Sequence, residues 1–181
     1  MKIITLSGPA RGGKDYLGNL ICNSLPNAKC YALADLLKEY VCELFNIDLE
    51  TLNNLKNSGV AFTSNGLTMR TILQRFGTEI FVNKVDKMFW VNKLKEKIKK
   101  ENYDYAIITD VRFPHELEGF GATSLKVMIN NNTTIKECAH ASENALENRH
   151  FDITINNKNH PDLKPFVDII VNYLNNLEEI I

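Results

Sequence analysis

Apolar positions along this chain fall into two rhythms that alternate. Residues 2–7 form a short, nearly continuous apolar run, the pattern of a strand buried on both faces. A glycine-rich stretch follows at residues 8–13, and from Lys14 to about Leu25 the residues Leu17, Leu20, Ile21 and Leu25 recur at helical spacing. Pro26-Asn27 breaks that helix. Lys29–Leu33 reads as a second strand, and Ala34–Phe45 as a helix carrying Leu36, Leu37, Tyr40, Val41, Leu44 and Phe45 at helical spacing. Residues 46–67 are polar, Asn-rich and weakly periodic, and are expected to be an insertion or a mobile segment. Helical spacing returns from Thr68 to about Phe81, with Met69, Ile72, Leu73, Phe76 and Ile80 on one face. Lys87–Lys100 is a further helix, whose terminal lysines complement the negative end of its dipole.

Tyr103–Thr109 is the clearest buried strand, and Pro114–Gly119 a short helix with proline in its first turn. Thr123–Ile129 is another strand, 130–142 a loop, Phe151–Ile155 a last strand, and Pro161–Leu177 a closing amphipathic helix. Strands alternating with helices predict an α/β fold with three layers and a mostly parallel central sheet. No internal repeat or interdomain linker interrupts the pattern, so a single domain over residues 1–181 is expected.

Charge narrows the function classes. Lys plus Arg number 21 against 22 Asp plus Glu, a net charge of −1 that argues against a nonspecific binder of polymeric nucleic acid. Only five of the cations are arginine: Arg11, Arg70, Arg75, Arg112 and Arg149. The planar guanidinium suits phosphate and carboxylate recognition, so the places of those five carry information. Cys22, Cys30, Cys42 and Cys138 make no CxxC pair and no zinc-like spacing with histidine, and read as reduced thiols. With no secretory leader and no run near the ~20 apolar residues of a membrane span, a cytoplasmic protein is expected.

The chemistry concentrates in two places. Gly8-Pro9-Ala10-Arg11-Gly12-Gly13-Lys14 fits G-x-x-x-x-G-K between a strand and a helix, the context in which that pattern cradles phosphates. Glycines let consecutive N–H groups wrap an anion, the helix N-terminus adds positive potential, and the lysine reaches the outer phosphate oxygens. Asp15 stands where a serine or threonine hydroxyl commonly faces Mg²⁺, and its carboxylate is also a hard oxygen ligand. Tyr16 replaces the small hydroxyl residue that commonly follows. The second place is Ala106-Ile107-Ile108-Thr109-Asp110, an apolar strand ending in an acid at the C-terminal edge of a parallel sheet. Asp110 is the second candidate magnesium ligand, and Arg112 points to the same side as Asp110 if the strand continues.

Six segments in order, LSGPARGGKD (6–15), MRTILQRFGTEIFVNKVDKMFWV (69–91), YDYAIITDVRFPHELE (103–118), GAT (121–123), HASE (140–143) and FDITINN (151–157), resemble the deoxynucleoside monophosphate kinases of tailed phages. The resemblance implies a P-loop kinase fold with small acceptor-binding and lid insertions, at 46–67 and 130–149. It implies transfer of the ATP γ-phosphoryl group to a deoxynucleoside monophosphate, with Mg²⁺ as cofactor, in the host cytoplasm if the protein is viral. Gly8, Arg11, Gly12, Gly13, Lys14, Asp15 and Tyr16 are then the ATP site, and Asp15 with Asp110 the metal site. Arg70 and Arg112 match arginines suited to the acceptor phosphate, Gln74 lies one helical turn from Arg70, and Trp90, Phe113 and Glu116 are candidates for base or sugar contacts.

The lid departs from the family pattern. Where relatives place an arginine directly after the strand at 123–129, this chain reads Ile129-Asn130-Asn131-Asn132, leaving Lys136 and Arg149 as nearby cations. Arg149 is the better match and joins Lys14, Asp110 and Arg112 as a catalytic candidate, with a surface ion pair to Glu143 or Glu147 as the alternative; His140 is expected to order the loop. Two other readings remain open at this point. One keeps the fold and changes the acceptor, as in phosphomevalonate or dephospho-coenzyme A kinases; the other is a nucleotide-binding regulatory protein with weakened turnover. Residues 46–67 could cap the acceptor site or pack against a second copy in a homodimer.

Overall fold

The apolar run at the N-terminus forms β1 (Lys2–Ser7), and the later runs form β2 (Ala28–Tyr31), β3 (Tyr105–Val111), β4 (Leu125–Asn130) and β5 (Ile153–Asn156). The computed structural model describes residues 1–9, 11–121, 124–130, 145–146, 148–157 and 162–178. The strands make one sheet in the order β2-β3-β1-β4-β5, and every neighbouring pair is parallel. Parallel neighbours require crossovers, and helical segments lie between β1 and β2, β2 and β3, and β3 and β4, while most of the β4–β5 connection lies outside the described residues. Among the described residues no helix is long and apolar enough to cross a membrane.

The chain groups into two compact units, Met1–Ala32 with Lys97–Ile181, and Leu33–Glu96, a division for which the alternating pattern carries no signal. In the first unit, α1 (Lys14–Ser24) follows the glycine loop and α7 (Lys164–Glu178) follows β5. Ile4, Leu6, Ile107, Val127, Ile129 and Ile155 of the sheet pack with Leu17 and Ile21 of α1 and Val167, Ile170 and Leu174 of α7. Thr5, Ser7, Ala106 and Ile108, on the alternate positions of the same strands, are buried as well. A parallel sheet buried on both faces is the three-layer arrangement expected from the sequence. Cys22, Cys30 and Cys42 are free thiols, as their spacing suggested.

β3 runs to Val111, so Asp110 lies one residue inside the strand, and Arg112 comes after its end. The reason is local. The side chain of Glu116 accepts the backbone N–H of Arg112 at 2.7 Å and of Phe113 at 3.0 Å, which removes both amides from any ladder. Pro114 then opens α6 (Pro114–Gly119) and holds Phe113 extended, at φ −119° and ψ 151°.

In the second unit, α2 (Leu33–Phe45) is followed by α3 (Leu49–Ser58), which lies within the segment expected to be weakly structured. Asp48 caps α3 by accepting the Thr51 N–H at 2.7 Å, and Gly59 ends it at φ +67°. Leu52 is fully buried with Val41, Met69, Ile72 and Leu73. The rest of 46–67 folds back through a turn at Gly66, with Phe62 donating its N–H to the carbonyl of Leu67 at 2.7 Å. α4 (Met69–Gln74) is capped by Thr68 and runs directly into a π-helical segment, Arg75–Val85. The wider i→i+5 turn advances each side chain by less than an α-helix does. Ile80, expected on the buried face, is therefore rotated out and is 42% exposed. The helix α5 (Phe89–Glu101) follows and crosses the boundary between the units.

Candidate functional site

The loop between β1 and α1 is shaped by two glycines that no other residue could replace without movement. Gly8 has φ +145°, and a Cβ built there would stand 2.3 Å from the backbone carbonyl oxygen of Ile129 on β4. Gly13 has φ +90° and forms the N-cap of α1 without any side-chain cap. The first N–H groups of α1 are thus left uncapped by side chains at the positive end of the helix dipole, the physical basis of an anion site. Between them Gly12 donates its N–H to the carbonyl of Pro9 at 3.1 Å, and Arg11, exposed, takes the left-handed conformation at φ +59°.

Lys14 folds over this loop. Its ammonium donates to the carbonyls of Gly8 at 2.9 Å and Pro9 at 2.7 Å, and the residue is only 7% exposed. Just before the loop, Ser7 is fully buried and its hydroxyl is without a partner among the described residues. The uncapped helix amides and the lysine over the loop suit an anionic occupant.

Asp15, in the first turn of α1, is exposed. The Cys30 thiol is pushed up by its hydrogen bond with Cys22, then by burial, and last by the charge of Asp15. Among the described residues no three acidic, histidine or cysteine side chains form a metal cage. Two carboxylates without a cage still fit Mg²⁺, which is commonly held by one or two carboxylates together with phosphate oxygens and water. Tyr16 is 52% exposed.

At the end of β3, Asp110, Arg112 and Glu116 share one electrostatic neighbourhood. Burial pushes the Glu116 carboxyl up to about 7; the amides of Arg112 and Phe113 and the Arg112 charge oppose this, while the Asp110 charge adds to it. Glu116 is therefore a brace for the backbone of Arg112, whose side chain is exposed. Phe113 stacks on His115 with ring centroids 5.6 Å apart. Arg149 donates to Glu118 of α6 at 2.9 Å, an exposed pair that the sequence reading did not include. Lys136, His140, Glu143, Glu147 and most of the lid region 130–149 lie outside the described residues.

The second unit holds the remaining candidates. Arg70 and Gln74 are both exposed and lie at i and i+4 on α4. Trp90 is 8% exposed, donates its indole N–H to the carbonyl of Gly77 at 2.9 Å and packs against Phe81, Phe89 and Tyr40. Its ring is committed to the core, and it is not retained as a substrate contact.

One further contact has no counterpart in the residue-by-residue reading. Asn157, directly after β5 and 8% exposed, donates its side-chain amide to the carbonyl of Gly12 at 3.2 Å. The available signal was weak: a polar residue at the C-terminal edge of the sheet, the edge where ligands gather in open α/β folds.

Against known proteins, residues 46–165 match the family described as deoxynucleotide monophosphate kinase. This chain belongs to that family. It is 29% identical to the deoxynucleotide monophosphate kinase of Enterobacteria phage T4 over 119 residues, 62% of this chain and 45% of that protein. It is 27% identical to the enzyme of the same name from Escherichia phage RB69 over 114 residues, 60% of this chain and 43% of that one. A 52-residue stretch, 29% of this chain, is 42% identical to the deoxynucleoside-5′-monophosphate kinase of Escherichia phage T5 and covers 21% of it. The chain thus spans less than half the length of these curated relatives. The family match begins after the phosphate loop and includes Arg70, Gln74, Asp110, Arg112, Glu116, Arg149 and Asn157. The loop rests on its own geometry, and with the all-parallel sheet it fits the P-loop kinase fold.

Proposed function

We propose that this member of the family transfers the γ-phosphoryl group of ATP to a deoxynucleoside 5′-monophosphate, giving a deoxynucleoside diphosphate and ADP. The observation that carries the reading is the loop of residues 8–14, with uncapped α1 amides and the Lys14 ammonium lying over its carbonyls, at the edge of a parallel sheet in a chain of this family. Phosphoryl transfer asks for alignment and positive charge around the transferred group rather than covalent help from the protein. In this reading the loop amides and Lys14 hold the donor phosphates. Asp15 and Asp110 are the carboxylates that would hold Mg²⁺, which when bound neutralises charge on the phosphate oxygens. In the first unit Arg112 is the residue proposed for the acceptor phosphate and Phe113 for the nucleoside, Arg70 and Gln74 are the acceptor candidates of the second unit, and Arg149 contributes charge from the lid side.

An assay coupling ADP release to a chromogenic readout, run with each of the four common dNMPs, tests the proposal. Turnover with at least one dNMP is expected, and turnover with none would overturn it. Replacing Lys14 by alanine removes the ammonium from the loop, and the rate is expected to fall by at least about a hundredfold, the size of effect seen when one charge-stabilising group is lost. Unchanged activity in Lys14→Ala would refute the assignment of the loop.

A further inference from the structure

We propose that Asn157 is a positioning residue that aims the Gly12–Gly13 peptide of the phosphate loop at the donor phosphates. The inference rests on the reading of residues 8–15 as the ATP phosphate cradle and adds a residue to it. A trans peptide is planar, with its carbonyl and its N–H on opposite sides, and among the described residues there is no cis peptide bond. Asn157 Nδ2 holds the Gly12 carbonyl oxygen at 3.2 Å, so the N–H of Gly13, in the same peptide, points away from Asn157. That N–H is the last donor of the loop before α1 begins at Lys14.

The brace is itself well anchored. Asn157 is 8% exposed, and its backbone N–H donates to the carbonyl of Asn130 at 2.8 Å, which ties it to the end of β4. The space it shares with the loop is tight: a Cβ on Gly13 would lie 3.2 Å from Asn157 Nδ2 and 3.4 Å from Leu163 Cδ1. Gly13 sits at φ +90°, where a peptide flip is inexpensive because glycine accepts both hands of backbone conformation. Without a fixed partner for the Gly12 carbonyl, the Gly13 N–H would sample more than one direction. An amide side chain supplies that partner through its donor end, which a carboxylate of the same shape lacks.

The test compares Asn157→Asp, which keeps the shape and deletes the donor, and Asn157→Ala with the unmutated chain. Equilibrium binding of ATP in the presence of Mg²⁺ is measured by calorimetry, and KM is measured separately for ATP and for the dNMP acceptor. Both variants are expected to bind ATP about five- to tenfold more weakly, the range of a single buried hydrogen bond, with the acceptor KM within about twofold of the unmutated value. Equal ATP affinity in folded variants, or donor and acceptor KM rising together, overturns the proposal. If neither variant folds, the side-chain amide resonances of Asn157 in the unmutated protein decide: they should shift with the Gly13 backbone amide as ATP is added, and no shift in the former counts against it. Absence of ATP binding by the unmutated chain would instead refute the phosphate-cradle reading, so the two failures are distinguishable.

Discussion

Replacing Glu116 by glutamine should remove a pH dependence of stability that this one carboxyl imposes. Glu116 is pushed from its ordinary value of 4.5 up to about 7 in the folded chain, with burial the largest cause and the amides of Arg112 and Phe113 only partly offsetting it. Between those two values the folded chain holds a proton that the unfolded chain has released. Stability therefore falls as pH rises through that window, and levels off above about pH 7. Moving a carboxyl from 4.5 to about 7 corresponds to about 3 kcal/mol as an upper figure. Glutamine keeps an oxygen to accept both amides, which in the native residue converge on a single oxygen, Oε2. It cannot ionise. Urea unfolding at pH 5, 6, 7 and 8 should show the variant gaining on the parent across the series, by up to about 3 kcal/mol. Parallel curves would refute the reasoning, because they would mean that Glu116 ionises as freely in the folded chain as in the unfolded one. Since the Glu116 carboxyl fixes the backbone of Arg112, the result also bears on how the arginine proposed for the acceptor phosphate is held.

Two other substitutions probe the frame around the site. Gly8→Ala forces a side chain into a left-handed backbone conformation and to 2.3 Å from the Ile129 carbonyl oxygen; it should cost about 1–3 kcal/mol for the backbone alone and lower ATP affinity at least tenfold. Thermal melting and calorimetry check this, and an unchanged melting point with unchanged affinity would contradict the close approach. Leu52→Ala empties a fully buried position among Val41, Met69, Ile72 and Leu73 and should cost about 2–5 kcal/mol in chemical denaturation. A loss below about 1 kcal/mol would mean that α3 is not packed as described.

The sequence was most legible where one local signal decides the structure. A buried apolar run followed by glycines and a helical repeat could be little other than β1, a glycine loop and α1. α3 was hidden because its apolar residues Leu49, Leu52 and Leu55 are separated by asparagines and other polar residues, which weaken the periodic signal. Asp48 and Gly59, at the two ends, were the better clue to it. Ile80 was misplaced because a period of 3.6 residues was assumed where the backbone is π-helical, and no residue type announces that change. Asn157 was hard to read for a different reason. Its meaning comes from a partner 145 positions away, Gly12, and a polar residue after a strand does not by itself name that partner.

The five arginines divide by their carboxylate partners. Arg75 faces Glu79 at 3.9 Å and Arg149 faces Glu118 at 2.9 Å, both at exposed positions. Among the described residues no carboxylate stands within ion-pair distance of Arg11, Arg70 or Arg112, and all three side chains are exposed. An anion can therefore engage these three without first displacing a carboxylate of the described residues. Arg149 differs, since it must release Glu118 before it can serve a phosphate. An exposed pair of this kind is worth about 0.2–1 kcal/mol, so the release would reduce affinity by less than about tenfold. The contact with Glu118 is thus too weak to exclude the lid role proposed for Arg149.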